Sequence, residues 1–216
     1  MSDKPQLTRN YVEHPMIDAT RWDAYNHRAD DIVISTSYKA GTTWMQTIVA
    51  NLLYQDGVFP APVSVMAPWL DMALPPLAEV AAGLEAQSDR RFIKTHLPLD
   101  GIPYFETAKY IYVGRDGRDV FMSLWNHHTN YSDDIKEYNH QTAKQHGRRY
   151  PSDYDDLHAL YADWIGKSWY HWGPMATLTG RTFIMFNHGG IIVTLAISTS
   201  SISLIYWRIP SRRLKA

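Results

Sequence analysis

The first strong pattern along the chain is the apolar run Ile32-Val33-Ile34, hydrophobic on both faces, which predicts a short strand over 31–34 buried in a parallel sheet. From Thr42 the period changes. Met45, Ile48, Val49 and Leu52 recur at helical spacing and predict one buried face of a helix ending near Asp56-Gly57. Pro60, Pro62, Pro68, Pro75 and Pro76 then predict a long irregular segment with at most a short helix over 77–84. Strands are predicted at 91–95, closed by Leu97-Pro98, and at 109–113, closed by the turn Gly114-Arg115-Asp116-Gly117. The helix after that turn carries Phe121, Leu124, Trp125 and His128 on one face. Residues 131–156 are polar and read as surface loop or exposed helix, whereas 157–172 read as a buried helix. Thr182 to Phe186 forms a fourth strand candidate.

Strands alternating with helices predict an α/β domain, three-layered and P-loop-like, with a mainly parallel central sheet flanked by helices. Ligands in such sheets sit at the carboxyl ends of the strands, and the notable loops here all fall at that edge. At 216 residues the chain is long enough for one domain with a substantial core. Its formal net charge of -1 gives no global attraction to nucleic acid or an anionic membrane, so any anion recognition must be local. With no cysteine the chain has neither disulfides nor thiolate-bound metals, which fits a reducing compartment. Residues 1–11 lack the apolar core of a signal peptide, so a cytoplasmic location is expected.

The candidate chemistry begins at Ser37-Tyr38-Lys39-Ala40-Gly41-Thr42-Thr43-Trp44. A strand breaks there into a small polar loop that opens a helix. Backbone N–H groups with a helix dipole behind them cradle an anion such as phosphate or sulfate. Lys39 adds an ammonium, and Thr42 and Thr43 add hydroxyl donors. Read alone, this stretch is equally a strand-to-helix turn capped by Thr42. His96 alone reads as an ordinary satisfied histidine. Arg115 with Asp116, Arg118 and Asp119 alone reads as a surface ion-pair network.

Taken together, three segments resemble the cytosolic-type sulfotransferase family, which moves a sulfuryl group from 3′-phosphoadenosine-5′-phosphosulfate (PAPS) to a hydroxyl or amine. The family's phosphosulfate loop, Tyr-Pro-Lys-Ser-Gly-Thr-Thr-Trp, corresponds to Ser37-Tyr38-Lys39-Ala40-Gly41-Thr42-Thr43-Trp44, with the family's Pro and Ser replaced. Its Lys-Thr-His-Leu-Pro stretch stands here as Lys94-Thr95-His96-Leu97-Pro98, and its 3′-phosphate pair as Arg115 and Ser123. The likeness covers roughly residues 30–187.

The resemblance implies PAPS as co-substrate, with no metal expected. His96 would be the catalytic base, and Lys39 and Lys94 would stabilise the transferring sulfuryl group. Ala40, Gly41, Thr42 and Thr43 would hold the 5′-phosphate, Trp44 would stack on adenine, and Arg115 and Ser123 would hold the 3′-phosphate. The acceptor is expected to be a small apolar or phenolic molecule, shaped by the loops after Pro60 and after Tyr131; no nucleic-acid partner is expected, and oligomeric state stays open. Two alternatives remain. A P-loop kinase is disfavoured because Lys39 precedes Gly41, whereas a Walker loop has Gly-Lys-Ser/Thr in that order. The other is a nucleotide binder without turnover.

After Asn187 the character changes: residues 189–207 carry no charge, and Arg208, Arg212, Arg213 and Lys215 follow. The expected organisation is a sulfotransferase-like domain over 1–187 and an atypical apolar and basic tail over 188–216. That tail is read as an altered or frameshifted end, since nothing in it matches the family's late Arg-Lys-Gly loop. A membrane span is disfavoured by its serines and threonines. Glu137-x-x-His140 has a di-iron spacing but occurs once, and His127-His128 cannot share a metal from adjacent helical positions.

Overall fold

The computed structural model describes residues 16–97, 101–115, 117–145, 149–167 and 192–196. Strands β1 (Ile32–Thr36), β2 (Phe92–Thr95) and β3 (Lys109–Gly114) form a parallel sheet with β1 in the middle. Ile34 lies opposite both Lys94 and Ile111, so the three strands end at one level. A fourth strand, β4 (Ile192–Ala196), pairs antiparallel with β3. The sheet is thus mainly parallel, as the alternation predicts. The strand candidate at 182–186 lies outside the described residues.

The pleat sends alternate side chains of each strand to opposite faces, and both faces are covered. Val33, Ile93 and Tyr110 pack with Ile17, Trp22, Leu70 and Leu84. Ile32, Ile34, Phe92, Ile111 and Val113 pack on the other face beneath helix α1 (Thr42–Leu53) and the single turn α2 (Val63–Met66). The helix expected in the Pro-rich segment is α3 (Leu77–Glu85).

The face of α1 is rotated from the one its apolar spacing predicts. Met45 and Val49 are buried, but Leu52 is 66% exposed and Gln46 only 3% exposed. Gln46 is drawn in because its amide donates to the Ala67 carbonyl at 2.9 Å, a tertiary bond that periodicity does not register. Helix α4 (Gly117–Thr129) buries Phe121, Leu124 and His128 as expected, adding Val120. The polar stretch after Tyr131 contains α5 (Asp133–Gln145), exposed along most of its length. Helix α6 (Leu157–Lys167) is half-buried where its side chains are described, rather than sunk in a core. Residues 168–172 of the helix expected over 157–172 fall outside the described residues.

At the amino ends of β1 and β2, away from the notable loops, Arg91 and Asp31 form a fully buried ion pair at 2.6 Å. Arg91 also reaches the Asn26 carbonyl at 2.7 Å and Glu85 at 3.1 Å. Burial by itself would raise the Asp31 carboxyl, but bonds from Arg91, the Tyr25 hydroxyl and the Arg28 amide hold it below its ordinary range. Saturated in this way, the pair clamps two strands without leaving a bare charge.

Candidate active site

The first loop leaves β1 at Thr36 and turns through two left-handed residues, Lys39 (φ 59°) and Gly41 (φ 110°). A lysine in that region carries local strain, on the order of 1–2 kcal/mol. The turn delivers the chain into α1, whose N-cap is Gly41 rather than Thr42, and no side chain caps it. A helix start without a side-chain cap leaves first-turn N–H groups that an anion can satisfy. Ala40 is buried, and its N–H closes the turn onto the Ser37 carbonyl at 3.3 Å. Thr42 is pinned by its hydroxyl to that of Thr36 at 2.5 Å, while Thr43 and Trp44, the latter 48% exposed, open to solvent.

The second loop follows β2. His96 is buried, with Nδ1 2.8 Å from the Thr36 carbonyl oxygen. A carbonyl only accepts, so Nδ1 carries the hydrogen and Nε2 holds the basic lone pair. The imidazole stacks on Tyr38 at 4.3 Å and meets the Trp69 ring edge-on at 4.6 Å. Lys94 places its Nζ 4.8 Å from the centre of the Trp69 ring. Burial lowers the Lys94 ammonium, with Asp71 opposing that shift and Lys39 reinforcing it. The Ser35 hydroxyl donates to the Leu97 carbonyl at 2.8 Å and ties this loop to β1.

The third loop follows β3. Arg115 donates from Nη1 to the Lys39 carbonyl at 3.2 Å, joining the first and third loops directly. It also lies 3.8 Å from Asp119, a partly exposed contact that leaves most of the guanidinium fork available. Burial and the nearby Arg115 charge together lower the Lys39 ammonium. Ser123 sits about two turns into α4 on the same segment and is half-buried.

The three predicted segments thus meet at one end of the sheet: Lys39, Lys94 and Arg115 form one cationic neighbourhood beside the neutral His96 imidazole. Four further residues belong to it that sequence reasoning gave no role. Tyr38 stacks on His96, Trp69 meets it edge-on, Asp71 accepts from its backbone N–H, and His127 titrates under the influence of Lys39. Burial and Lys39 lower the His127 imidazole, whose Nε2 is 2.7 Å from the Tyr131 hydroxyl. His128 is buried one residue on, its imidazole pushed down to about 4 by burial, then by His127 and Lys39. Tyr38 lies within the quoted motif, whereas Trp69, Asp71 and His127 have no spacing signal.

Between α4, residues 149–154 and α6 lies a separate small open cleft, lined by Phe121, Trp125, Tyr150 and Trp164 among others. Glu137 is engaged by Gln141, and His140 faces Asp153 at 2.9 Å. Among the described residues no three metal-ligating side chains cluster, and no helix is long and apolar enough to cross a membrane.

Comparison with known proteins adds an independent line. The sulfotransferase domain family matches residues 29–184. A glycolipid sulfotransferase of Mycobacterium bovis (strain BCG / Pasteur 1173P2) is 39% identical over 171 residues, covering 76% of this chain and 52% of the relative. A glycolipid sulfotransferase of Mycobacterium tuberculosis (strain ATCC 25177 / H37Ra) is 38% identical over 170 residues with the same coverage. Sulfotransferase 1A1 of Rattus norvegicus is 34% identical over 119 residues, covering 52% of this chain and 38% of that protein. The chain spans about half the length of the glycolipid sulfotransferases it matches.

Proposed function

The chain belongs to the sulfotransferase domain family, and on that premise we propose that it binds PAPS and transfers the sulfuryl group to a hydroxyl-bearing acceptor. The observation that carries this reading is the pair of bonds that knit the loops together. Arg115 donates to the Lys39 carbonyl and His96 to the Thr36 carbonyl, so phosphate donors and a base share one rim.

In this reading the first-turn amides of α1 and the Thr42 and Thr43 hydroxyls take the 5′-phosphate. The Arg115 fork and the Ser123 hydroxyl take the 3′-phosphate. Trp44 offers its exposed face to the adenine. His96 Nε2 accepts the acceptor's hydroxyl proton as that oxygen bonds to sulfur. The bond from sulfur to the 5′-phosphate oxygen breaks, and its electron pair stays on the phosphate, leaving a sulfate ester and adenosine 3′,5′-bisphosphate. Lys39 and Lys94 neutralise the charge that builds on the leaving oxygen and the sulfonate. Beyond that proton transfer, the protein contributes positioning and charge, as in phosphoryl transfer.

The acceptor side begins at the aromatic walls around His96. Tyr38 and Trp69 suit the face of a ring, whether a phenol or a sugar. The relatives named glycolipid sulfotransferases make a glycolipid sugar hydroxyl the first acceptor class to test, with phenols second. A cytoplasmic location belongs to the same proposal.

Labelled PAPS offered with glycolipids, phenols, alcohols and amines tests the reading. Transfer to a hydroxyl acceptor, lost in His96→Ala, is expected. Stabilisation by ATP-Mg²⁺ alone, without PAPS binding, would overturn it in favour of a kinase. Binding of adenosine 3′,5′-bisphosphate with no transfer to any class would leave a nucleotide-binding protein.

A further inference from the structure

Asp71 is fully buried in the segment between α2 and α3, 0% exposed, yet its carboxylate is saturated with donors from three parts of the chain. Trp22 Nε1 donates to it at 2.9 Å from the segment before β1. Trp69 Nε1 donates from its own loop and Thr95 Oγ1 from the end of β2. The backbone N–H of His96 donates as well. Thr95 Oγ1 in turn accepts from the Leu97 N–H at 2.9 Å, so the network runs on into the loop that carries the base.

These bonds reach the groups that shape the acceptor side. Trp69 meets His96 edge-on and lies under the Lys94 ammonium. Asp71 is also the negative charge nearest in effect to Lys94, favouring its protonated form against burial. By contrast, the contacts that shape the phosphate loops run through Thr36, Lys39, Thr42 and Arg115, none of which bonds to this carboxylate. A buried charge held only to close a core would be dispensable in favour of apolar residues. Here each donor belongs to a residue in, or adjoining, the base and its aromatic wall, apart from Trp22.

We propose that Asp71 is a positioning residue of the transfer site, whose buried carboxylate fixes the Trp69 indole and the His96 main chain and thereby sets the acceptor-side geometry. The proposal rests on the sulfotransferase reading for its kinetic consequence but not for its structural one. Asp71→Asn keeps the shape while turning one acceptor oxygen into a donor, so at least one of the four donors is left without a partner. Trp69→Phe keeps a ring and deletes only the indole arm, which guards against an asparagine variant that fails to fold.

The test uses the full 216-residue chain with three measurements on each variant: affinity for adenosine 3′,5′-bisphosphate, the nitrogen resonances of the His96 ring, and transfer kinetics. The His96 signal is assigned by its loss in His96→Gln. Both variants are expected to hold nucleotide affinity within about threefold and to move the His96 ring resonances. They are also expected to lower kcat/KM for the acceptor by about tenfold or more. If His96 resonances and acceptor kinetics stay at wild-type values in both variants, the proposal is overturned. Loss of nucleotide binding in a folded Trp69→Phe variant overturns it too, because the effect would not be confined to the acceptor side. If the wild-type chain binds nucleotide yet transfers nothing, the sulfotransferase reading fails while the His96 resonances still decide the role of Asp71.

Discussion

Replacing Asp71 by asparagine or His128 by phenylalanine is expected to tilt the pH dependence of stability in opposite directions between pH ~4 and ~6.5. Burial pushes the Asp71 carboxyl from 3.8 up to about 6, against the bonds from Thr95, Trp22, Trp69 and the His96 amide. Burial, reinforced by His127 and Lys39, pushes the His128 imidazole from 6.5 down to about 4. Within that window the folded chain keeps a proton on Asp71 that the unfolded chain has lost, so this group makes stability fall as pH rises. The unfolded chain keeps a proton on His128 that the folded chain lacks, so that group makes stability rise with pH. At ~1.4 kcal/mol for each tenfold change in proton affinity, either contribution is on the order of 3 kcal/mol, and the two nearly cancel. Urea denaturation in roughly half-unit pH steps at fixed ionic strength resolves them. Relative to wild type, Asp71→Asn gains stability from low to high pH by about 3 kcal/mol, and His128→Phe loses about as much. Parallel curves for all three proteins would refute the reasoning.

Three further outcomes follow from particular contacts. Arg91→Ala strands the buried Asp31 carboxylate and is expected to cost about 3–5 kcal/mol in denaturant unfolding, of which Arg91→Met with Asp31→Leu recovers most. Because Asp31 is held below its ordinary range, its contribution is present above pH ~4 and is lost as acid protonates it. Arg115→Ala is expected to weaken adenosine 3′,5′-bisphosphate binding by about 10- to 100-fold in calorimetry, with little change in Tm, since its side chain is partly exposed. His96→Ala is expected to abolish transfer while holding nucleotide affinity within a fewfold, which binding and turnover assays on one preparation separate.

The parallel strands were legible because each is a short apolar run bounded by polar or Gly-containing loops, and the carboxyl-edge loops followed from that order. The site's cations were legible because each sits beside such a boundary. Helix orientation was less so: Leu52 has the right spacing for the core, but the Gln46 bond to Ala67 turns α1 away from it. Asp71 was not legible at all. Its donors Thr95 and Trp22 lie 24 and 49 residues away, so no local period marks a carboxylate that only the fold surrounds with N–H and O–H groups. His127 was passed over for a similar reason, since its link to Lys39 runs across the sheet edge rather than along a helix. Strand β4 lies in the uncharged stretch that reads by its change of character as a tail, and it is joined to the sheet only by its antiparallel pairing with β3.

The central claim is that three separated loops build one nucleotide site facing one imidazole. Backbone and histidine-ring resonances followed during titration with adenosine 3′,5′-bisphosphate test it most directly. Saturable binding is expected to shift the amides of Gly41, Thr42 and Thr43, the Arg115 side chain and the His96 ring along one binding curve. Shifts confined to a single loop, or no saturable binding at all, would contradict it.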